Sequence, residues 1–305
     1  DFKIRTLGKW YPTAIRTGID RKYKKYISNY GQSYGEWAEP TEVHITGFKD
    51  FACPHPEETT AYIVYMLQTM AEIAEVLGKA EDQKRFSEYA EKAKIGYGKL
   101  IECPKFSLDT DRQAKLVRPL YLGLLDEKQV EFAKKRLITA LEHYDWRLGT
   151  GFLSTPFILY VLENIDIEYA YKLLENEQMP GWLFMPKMNA NTIWESWEGT
   201  QAQGGIASLD HYSKGAVCEW IFSRMCGVRV AGENRFEISP VVGGSLTHAS
   251  LSYKSIYGTV FSGFERVNGR TVYTVSIPSG TTAHFSVPGI DRELVAGEYR
   301  LESRM

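Results

Sequence analysis

The hydrophobic pattern of the first 227 residues is mostly helical. In residues 59–77 and 82–100, apolar side chains recur at intervals of three and four. Thr59 or Thr60 can cap the first of these helices, and Gly78 suits its end. The apolar positions of that helix are Ile63, Met66, Leu67, Met70, Ile73, Ala74 and Leu77. Similar spacing predicts further helices at about 9–29, 112–124, 127–143, 154–163, 167–175 and 211–226.

Near residue 228 the pattern changes to short runs with strand-like alternation, separated by glycine-containing turns. Residues 271–277 alternate, although Val272 and Tyr273 are both apolar and blur the two faces. Asn268-Gly269 is a strong signal for a two-residue β-hairpin. The sequence therefore predicts a mainly α chain with a β domain: residues 1–228 helical, and residues 229–305 a small antiparallel β-sandwich.

Two long segments between the predicted helices are the places to look for a site. Residues 30–58 and 177–210 are rich in Gly, Pro, Asn and Trp. Long irregular loops in a domain are usually functional or disordered, and the tryptophans argue against disorder. We therefore expect functional side chains in these loops.

Composition excludes several classes of partner. The 305 residues carry a formal net charge of −2, and Lys and Arg are mixed with acids, as in residues 20–25. Nucleic acids and anionic membranes favour clustered basic residues, so neither is expected as a partner. The sequence contains no stretch of 18 apolar residues, so no membrane span is predicted. No signal peptide is recognised. The chain begins with Asp1 rather than Met, so its localisation stays open.

The four cysteines do not form a C-x-x-C pair, which argues against a zinc ribbon or a thioredoxin-like site. Free, partly buried thiols are expected, with a disulfide left open because pairing depends on distance in the fold. No metal or cofactor is predicted.

A candidate for acid–base chemistry lies in residues 192–198, T-I-W-E-S-W-E. Glu195 stands between Trp194 and Trp197. Tryptophan walls exclude water and raise a carboxyl pKa, which suits proton transfer near neutral pH. A tryptophan face also offers a platform for a sugar ring. The alternative is an exposed glutamate beside two core tryptophans.

Three other segments are weaker on their own. His211 begins a predicted helix that Asp210 can cap, and could bond a sugar hydroxyl or have a purely structural role. Glu36 adjoins Trp37 in a loop. In residues 149–156, Ser154 or Thr155 can cap the following helix, with a proline at its first position.

Taken in order, five segments resemble glycoside hydrolase family 78, the α-L-rhamnosidases. They read G-E-W at 35–37, T-G-F-L-S-T-P at 150–156, P-G-W-L-F at 180–184, T-I-W-E-S-W at 192–197, and D-H-Y-S-K-G-A-V-C-E-W at 210–220. The last two are specific in combination. The resemblance covers nearly all of the chain, including its β-rich end.

The resemblance implies an (α/α)6 barrel followed by a C-terminal β-sandwich, and hydrolysis of terminal α-L-rhamnosides with inversion. Inversion needs a general base, which activates water, and a general acid, which protonates the leaving oxygen. Glu195 matches the family's base. His211 matches a residue that lines the sugar subsite, and Trp37 matches an aromatic wall. Glu36, Trp182 and Trp194 fall in matching segments and are also expected to bind substrate.

The sequence departs from the family at an important point. The family's general acid lies in a D-C-P-x-x-x-E motif, which has no counterpart here. About eight predicted helices fall short of the twelve of a full barrel, so the barrel is expected to be incomplete at its N-terminal side. Smaller departures are Glu36 for Asp, Ser154 for Gly, Gly181 for Ser and Asp210 for Asn.

Three functions therefore remain open. The first is an inverting α-L-rhamnosidase acting on a rhamnose-containing glycan, with this chain as its C-terminal part. The second is a non-catalytic carbohydrate-binding remnant without a general acid, and the third a related barrel glycosidase with another sugar preference. Half a barrel would expose apolar helix faces, so the chain is expected to stay with its N-terminal portion or to oligomerise.

Overall fold

Helical hairpins form the first part of the chain. The structure, a computed structural model, describes residues 19–31, 33–44, 53–202 and 207–304. After the short helix α1 (Arg21–Lys24), α2 (Pro56–Val76) packs against α3 (Ala80–Ile101), and α4 (Gln113–Tyr121) packs against α5 (Glu127–His143). Four shorter helices follow among the described residues: α6 (Ile158–Glu163), α7 (Ile167–Leu174), α8 (Phe184–Lys187) and α9 (Val217–Trp220).

The ends of the predicted helices follow local chemistry. The α5 helix has the predicted bounds, since Asp126 and Gln129 form a capping box at its start. The α2 helix begins three residues before the prediction, with Pro56 at its first position and His55 as N-cap. Thr59 does not cap it but donates its hydroxyl to His55 O at 2.7 Å, inside the first turn. Gly78, at φ +67°, ends α2 as predicted.

Helical spacing predicts α2 correctly but not the face that it buries. Its buried apolar side chains are small: Ala61, Val64, Ala71 and Ala74. Larger side chains of the predicted stripe remain exposed: Met66, Met70, Ile73 and Leu77 are 42–63% accessible. The large side chains form an apolar surface within the described part of the chain. We call these four residues the α2 stripe.

Two predicted helices differ from the structure. The helix expected at 154–163 begins only at Ile158, because residues 152–157 form turns. The helix expected at 211–226 is a composite: a 3₁₀ turn over Ser213–Ala216, then α9, then a π turn over Ile221–Met225. Much of the helix expected at 9–29 falls on residues 1–18, which lie outside the described residues.

The β-rich end forms two four-stranded sheets. One has the order β1-β2-β6-β7, from Val228–Gly232, Arg235–Ile238, Thr282–Val287 and Ile290–Leu294. The other has the order β3-β4-β5-β8, from His248–Ser255, Gly258–Val267, Arg270–Ile277 and Gly297–Arg304. Asn268 and Gly269, at φ 49° and 76°, form the predicted hairpin between β4 and β5. The pairing of β2 with β6 is parallel, so the sandwich is mixed rather than purely antiparallel.

The chain divides into two compact units that do not follow one cut along the sequence. The first comprises Asp1–Val161 and Asn176–Lys214, and the second Leu162–Glu175 and Gly215–Met305. In the second unit, the Tyr171 hydroxyl donates to Val241 O at 2.6 Å, and Trp220 Nε1 donates to Glu163 Oε2 at 2.9 Å. The second unit thus contains helical residues before position 228 as well as the β-rich part. The domain boundary at residue 228 stays a prediction.

None of the helices in the described ranges is long and apolar enough to cross a membrane. The four cysteines are free thiols.

Candidate active site

The segments around Glu195 and His211 lie side by side. The Glu195 N–H donates to Ser208 O at 2.9 Å, and the His211 N–H donates to Ile193 O at 2.8 Å. This short ladder joins the two family-like motifs of the sequence. It fixes the backbone of both, so their side chains are held in one region.

The Glu195 carboxylate is held by two donors. Its Oε1 accepts from Trp37 Nε1 at 3.2 Å, and its Oε2 accepts from the Ser208 N–H at 2.9 Å. The side chain is half-buried. A carboxylate offers about four lone-pair directions, so each oxygen can still accept a proton from a ligand or a water. Glu195 and Trp37 are 158 positions apart in the sequence, and the fold brings them into contact.

His211 is oriented by stacking and by its own backbone. Its ring stacks on Phe152, with centroids 4.9 Å apart, and on Tyr212 at 5.1 Å. Its Nδ1 accepts from the Ser213 N–H at 3.3 Å. A neutral imidazole that accepts at one nitrogen donates at the other, which leaves Nε2 as a donor. The expected cap by Asp210 is replaced by His211 itself.

Glu36 is buried rather than exposed. Its Oε1 accepts from the Gly151 N–H at 3.0 Å and the Ser154 N–H at 2.8 Å. Its Oε2 accepts from Ser154 Oγ at 2.8 Å and Arg118 Nη2 at 2.5 Å. The side chain has no exposed surface, so a sugar hydroxyl has no access to it. Ser154, expected to cap a helix, instead holds this carboxylate.

The two remaining predicted site residues differ in exposure. Trp182 is buried, with 5% of its surface exposed, and its Nε1 donates to Lys214 O at 2.9 Å. Trp194 is half-buried and packs edge-on against Phe184, with centroids 6.3 Å apart. Its ring lies over Gly199, where an added Cβ would come within 2.7 Å. Trp182 is therefore part of the core, while Trp194 keeps an accessible face.

Lys214 is a site residue that the sequence interpretation missed. Its side chain is fully buried, and its Nζ donates to Ala38 O at 2.9 Å. The ammonium lies 4.4 Å from the centroid of the Trp197 ring and 5.1 Å from that of Phe152. Burial lowers the Lys214 pKa to about 7, while the charges of Glu36, Glu198, Glu39 and Glu195 oppose this shift. A lysine in a polar segment usually lies in solvent, so its sequence position gave no signal.

Other carboxylates that could have served as a general acid are buried. Glu36, Glu39, Glu57 and Glu198 are 2–8% exposed. Glu39 pairs with Arg112, whose Nε donates at 2.8 Å, and Lys115 Nζ lies 3.3 Å from Glu57. Burial and the neighbouring Glu58 raise the Glu57 pKa to about 7.

Glu198 is distinct among these carboxylates. Its Oε1 accepts from the Thr41 N–H at 2.6 Å and from Thr41 Oγ1 at 3.0 Å. Its Oε2 is buried and has no hydrogen-bond partner among the described residues.

Within the described ranges, no group of three or more His, Cys, Asp or Glu is arranged to hold a metal ion.

Comparison with known proteins gives the family context. Residues 4–225 match the bacterial α-L-rhamnosidase 6-hairpin glycosidase domain, and residues 230–302 match the bacterial α-L-rhamnosidase C-terminal domain. The chain is 33% identical over 286 residues to an α-L-rhamnosidase of Formosa agariphila, covering 87% of this chain and 30% of that protein. It is 28% identical over 275 residues to one of Streptomyces avermitilis, covering 88% and 26%.

The fold is also that of solved α-L-rhamnosidases. The structure from Aspergillus terreus has a TM-score of 0.77 at 24% identity, covering 89% of this chain and 33% of that chain. The Streptomyces avermitilis enzyme complexed with L-rhamnose has a TM-score of 0.76 at 24% identity, covering 99% and 30%. The chain thus spans about a third of the length of these proteins.

The helical hairpins, the mixed β-sandwich and the paired motifs around Glu195 and His211 agree with both domain matches. The first match alone covers well over half of the chain. The chain belongs to the bacterial α-L-rhamnosidase 6-hairpin glycosidase family.

Proposed function

We propose that this chain is the base-bearing part of an α-L-rhamnosidase that hydrolyses terminal α-L-rhamnosides with inversion. The observation that carries the proposal is the geometry of Glu195, a half-buried carboxylate held at both oxygens by donors from two other segments. Positioned carboxylates of this kind serve as general bases. The family membership and the L-rhamnose complex of the Streptomyces avermitilis enzyme support rhamnose as the sugar.

In the proposed reaction, Glu195 accepts a proton from a water molecule that attacks the anomeric carbon. Trp37 Nε1 and the Ser208 N–H fix the carboxylate, so little reorganisation is needed as the proton moves. His211 donates through Nε2 to a sugar hydroxyl. The accessible faces of Trp37 and Trp194 pack against the C–H face of the ring.

We assign different tasks to the two buried members of the predicted site. Glu36 positions the loop at residues 151–154 by accepting three hydrogen bonds from it. Arg118 donates a fourth to the same carboxylate. Trp182 supports Lys214 through its Nε1 hydrogen bond. Both act through other residues rather than on the sugar.

We place the general acid outside the described residues. The four alternative carboxylates are buried and bonded to arginine, lysine, serine or threonine. In an inverting enzyme, the acid stands roughly 6.5–9.5 Å from the base, across the scissile bond. The domain boundary near residue 228 remains our proposal, supported by the gap between the two family matches.

The stereochemistry of the first product tests this proposal. The complete protein is given an α-L-rhamnoside, and the anomeric proton of released rhamnose is followed by NMR from the first turnover. Direct attack by water predicts that the β-anomer appears first and then mutarotates. Early accumulation of the α-anomer would exclude inversion and would make Glu195 a nucleophile or a bystander.

A second candidate function is carbohydrate binding without hydrolysis, favoured by the burial of the four alternative carboxylates among the described residues. Binding of L-rhamnose to the complete protein, with no release of rhamnose from any α-L-rhamnoside, would select it.

A further inference from the structure

The second unit contains a cavity of about 720 Å³. Its lining includes none of the residues of the candidate active site. Residues from α7, from the segment after β2, and from strands β4, β5, β6 and β8 contribute to its wall. A volume of this size fits one or two sugar rings. We call it the sandwich pocket, defined by Glu168, Ser239, Arg266, Tyr273, Val287 and Arg304.

Arg266 gives the sandwich pocket a cation with unused donors. Its Nη1 donates to Gly244 O at 2.7 Å. Its Nε is buried and has no hydrogen-bond partner among the described residues. No carboxylate in the described ranges lies within ion-pair distance of this guanidinium, whereas Arg224, also in the wall, pairs with Glu163. Nη1 is the only nitrogen of this side chain with a hydrogen-bond partner among the described residues, so the guanidinium can still donate from Nη2 to a ligand oxygen.

A second unpartnered polar atom lies in the same wall. Ser239 Oγ is buried and has no partner among the described residues, while its backbone N–H donates to Gly227 O at 2.9 Å. Arg304 adds another cation to the wall. The two arginines, Arg266 and Arg304, suit a ligand that carries an oxyanion.

Glu168 makes the pocket selective for more than a simple anion. Its Oε2 accepts from the Gly244 N–H at 3.1 Å, and a carboxylate has lone pairs left for further donors. An anion without hydroxyl groups, such as acetate or sulfate, has no donor to offer this carboxylate. A ligand that bears both an oxyanion and hydroxyl groups satisfies Arg266 and Glu168 at once.

The rest of the wall is apolar. Tyr273 and Val287 are buried, with 3% and 8% of their surfaces exposed. Pro240, Val241 and Pro288 complete this side. Such a surface packs against the C–H face of a pyranose ring, while the polar side meets its substituents. The combination is that of a site for a charged sugar.

We propose that the sandwich pocket binds an acidic monosaccharide unit, a uronic acid, with its carboxylate on Arg266 and a ring hydroxyl on Glu168. The choice of a saccharide rests on the proposed function, because a rhamnose-containing glycan that also carries uronic acid would then be held at two points. The site would thus select acidic glycans among those that end in rhamnose.

Binding is measured by isothermal titration calorimetry on the 305-residue chain, with D-glucuronate and D-galacturonate as probes and D-glucose and acetate as comparisons. The uronates are expected to bind at least tenfold more tightly than either comparison. Arg266→Gln should weaken uronate binding about 10- to 100-fold, since it removes a charge-assisted bond. Arg300→Gln removes the same charge from an exposed side chain of β8 and should leave binding unchanged.

Each outcome decides for or against the inference. Equal binding of acetate and uronate would show a general anion site and overturn it, as would equal binding of glucose. Unchanged uronate affinity in Arg266→Gln, with an unaltered thermal unfolding midpoint, would also overturn it. No turnover is needed for this measurement. Uronate binding by a protein without rhamnosidase activity would therefore contradict the proposed function alone.

Discussion

Glu195 and Lys214 show at the residue scale how neighbours define a side chain's role. Glu195 is held by Trp37 Nε1 and the Ser208 N–H. Lys214, only three positions after His211, is enclosed by aromatic rings and carboxylates. Both assignments lead to substitutions with separate readouts.

Glu195→Gln in the complete protein should lower kcat by about 10²–10⁴-fold, because the amide keeps the size of the side chain but cannot accept the proton. Substrate binding should change less, since the amide can still bond to Trp37. The measurement is steady-state release of rhamnose from an α-L-rhamnoside. Glu142→Gln, at an exposed position of α5, is the matched control. Near-normal turnover of Glu195→Gln would reject Glu195 as the base.

Lys214 predicts a specific dependence of stability on pH. Its pKa is lowered to about 7 in the folded chain, whereas an unfolded lysine titrates near 10.4. Between these values the unfolded state binds more protons, so this residue makes the free energy of unfolding rise with pH. Below about pH 7 both states are protonated, and the burial of the charge destabilises the fold fully.

Lys214→Met should remove that rise. Denaturant unfolding is measured from pH 6.5 to 9.5 for the native and Lys214→Met chains, with Lys84→Met, at an exposed position of α3, as control. Glu36, Glu39, Glu195 and Glu198 face the ammonium and are present in both chains. The unfolding free energy of the native chain minus that of the Lys214→Met chain should increase with pH. A constant difference would mean that Lys214 does not titrate in this range.

At the element scale, the β4–β5 hairpin and the α3 helix test the local conformational rules. Gly269 lies at φ +76° in the hairpin, and an added Cβ would meet nothing within 4 Å. Gly269→Ala should therefore destabilise the chain by about 1 kcal/mol, for backbone reasons alone. Gly98 lies in α3, where an added Cβ also meets nothing. Gly98→Ala should stabilise by about 0.5 kcal/mol.

The two substitutions form a matched pair, because each adds one methyl group in open space. Thermal and urea unfolding should show opposite signs. A loss of stability in both would point to contacts with the added methyl, and no change in Gly269→Ala would contradict the positive φ of the turn.

For the whole molecule, the α2 stripe and the location of the acid determine what the chain can do by itself. The stripe exposes large apolar side chains along α2 in the described part of the chain, and such surfaces mark interfaces. The 305-residue chain is expected to associate, and to release little or no rhamnose from an unactivated rhamnoside. An aryl rhamnoside can still react slowly, because its leaving group needs less protonation.

Light scattering and product analysis on the chain alone test both statements. Met70→Glu with Ile73→Lys should reduce association, because it places charges in the α2 stripe. A monomeric chain of native sequence that cleaves unactivated rhamnosides at the rate of the complete protein would contradict the placement of the general acid.

Several local features of the fold can be predicted from the sequence alone. Helical spacing predicted α2, α3 and α5 to within a few residues, and Asn268-Gly269 predicted the hairpin. These features depend on nearest neighbours and backbone preferences, which one sequence displays. The family-like motifs likewise placed Glu195, Trp37 and His211 in one expected site.

Which side chains are buried and which strands pair depends on contacts across the whole fold. Glu36 and Trp182 looked like ligand contacts, yet both are enclosed by distant segments. Lys214 is buried although its sequence position gave no sign of this, and β2 pairs in parallel with β6. Burial and pairing come from contacts between residues far apart in the chain, and hydrophobic spacing along one segment carries no information about what packs against it.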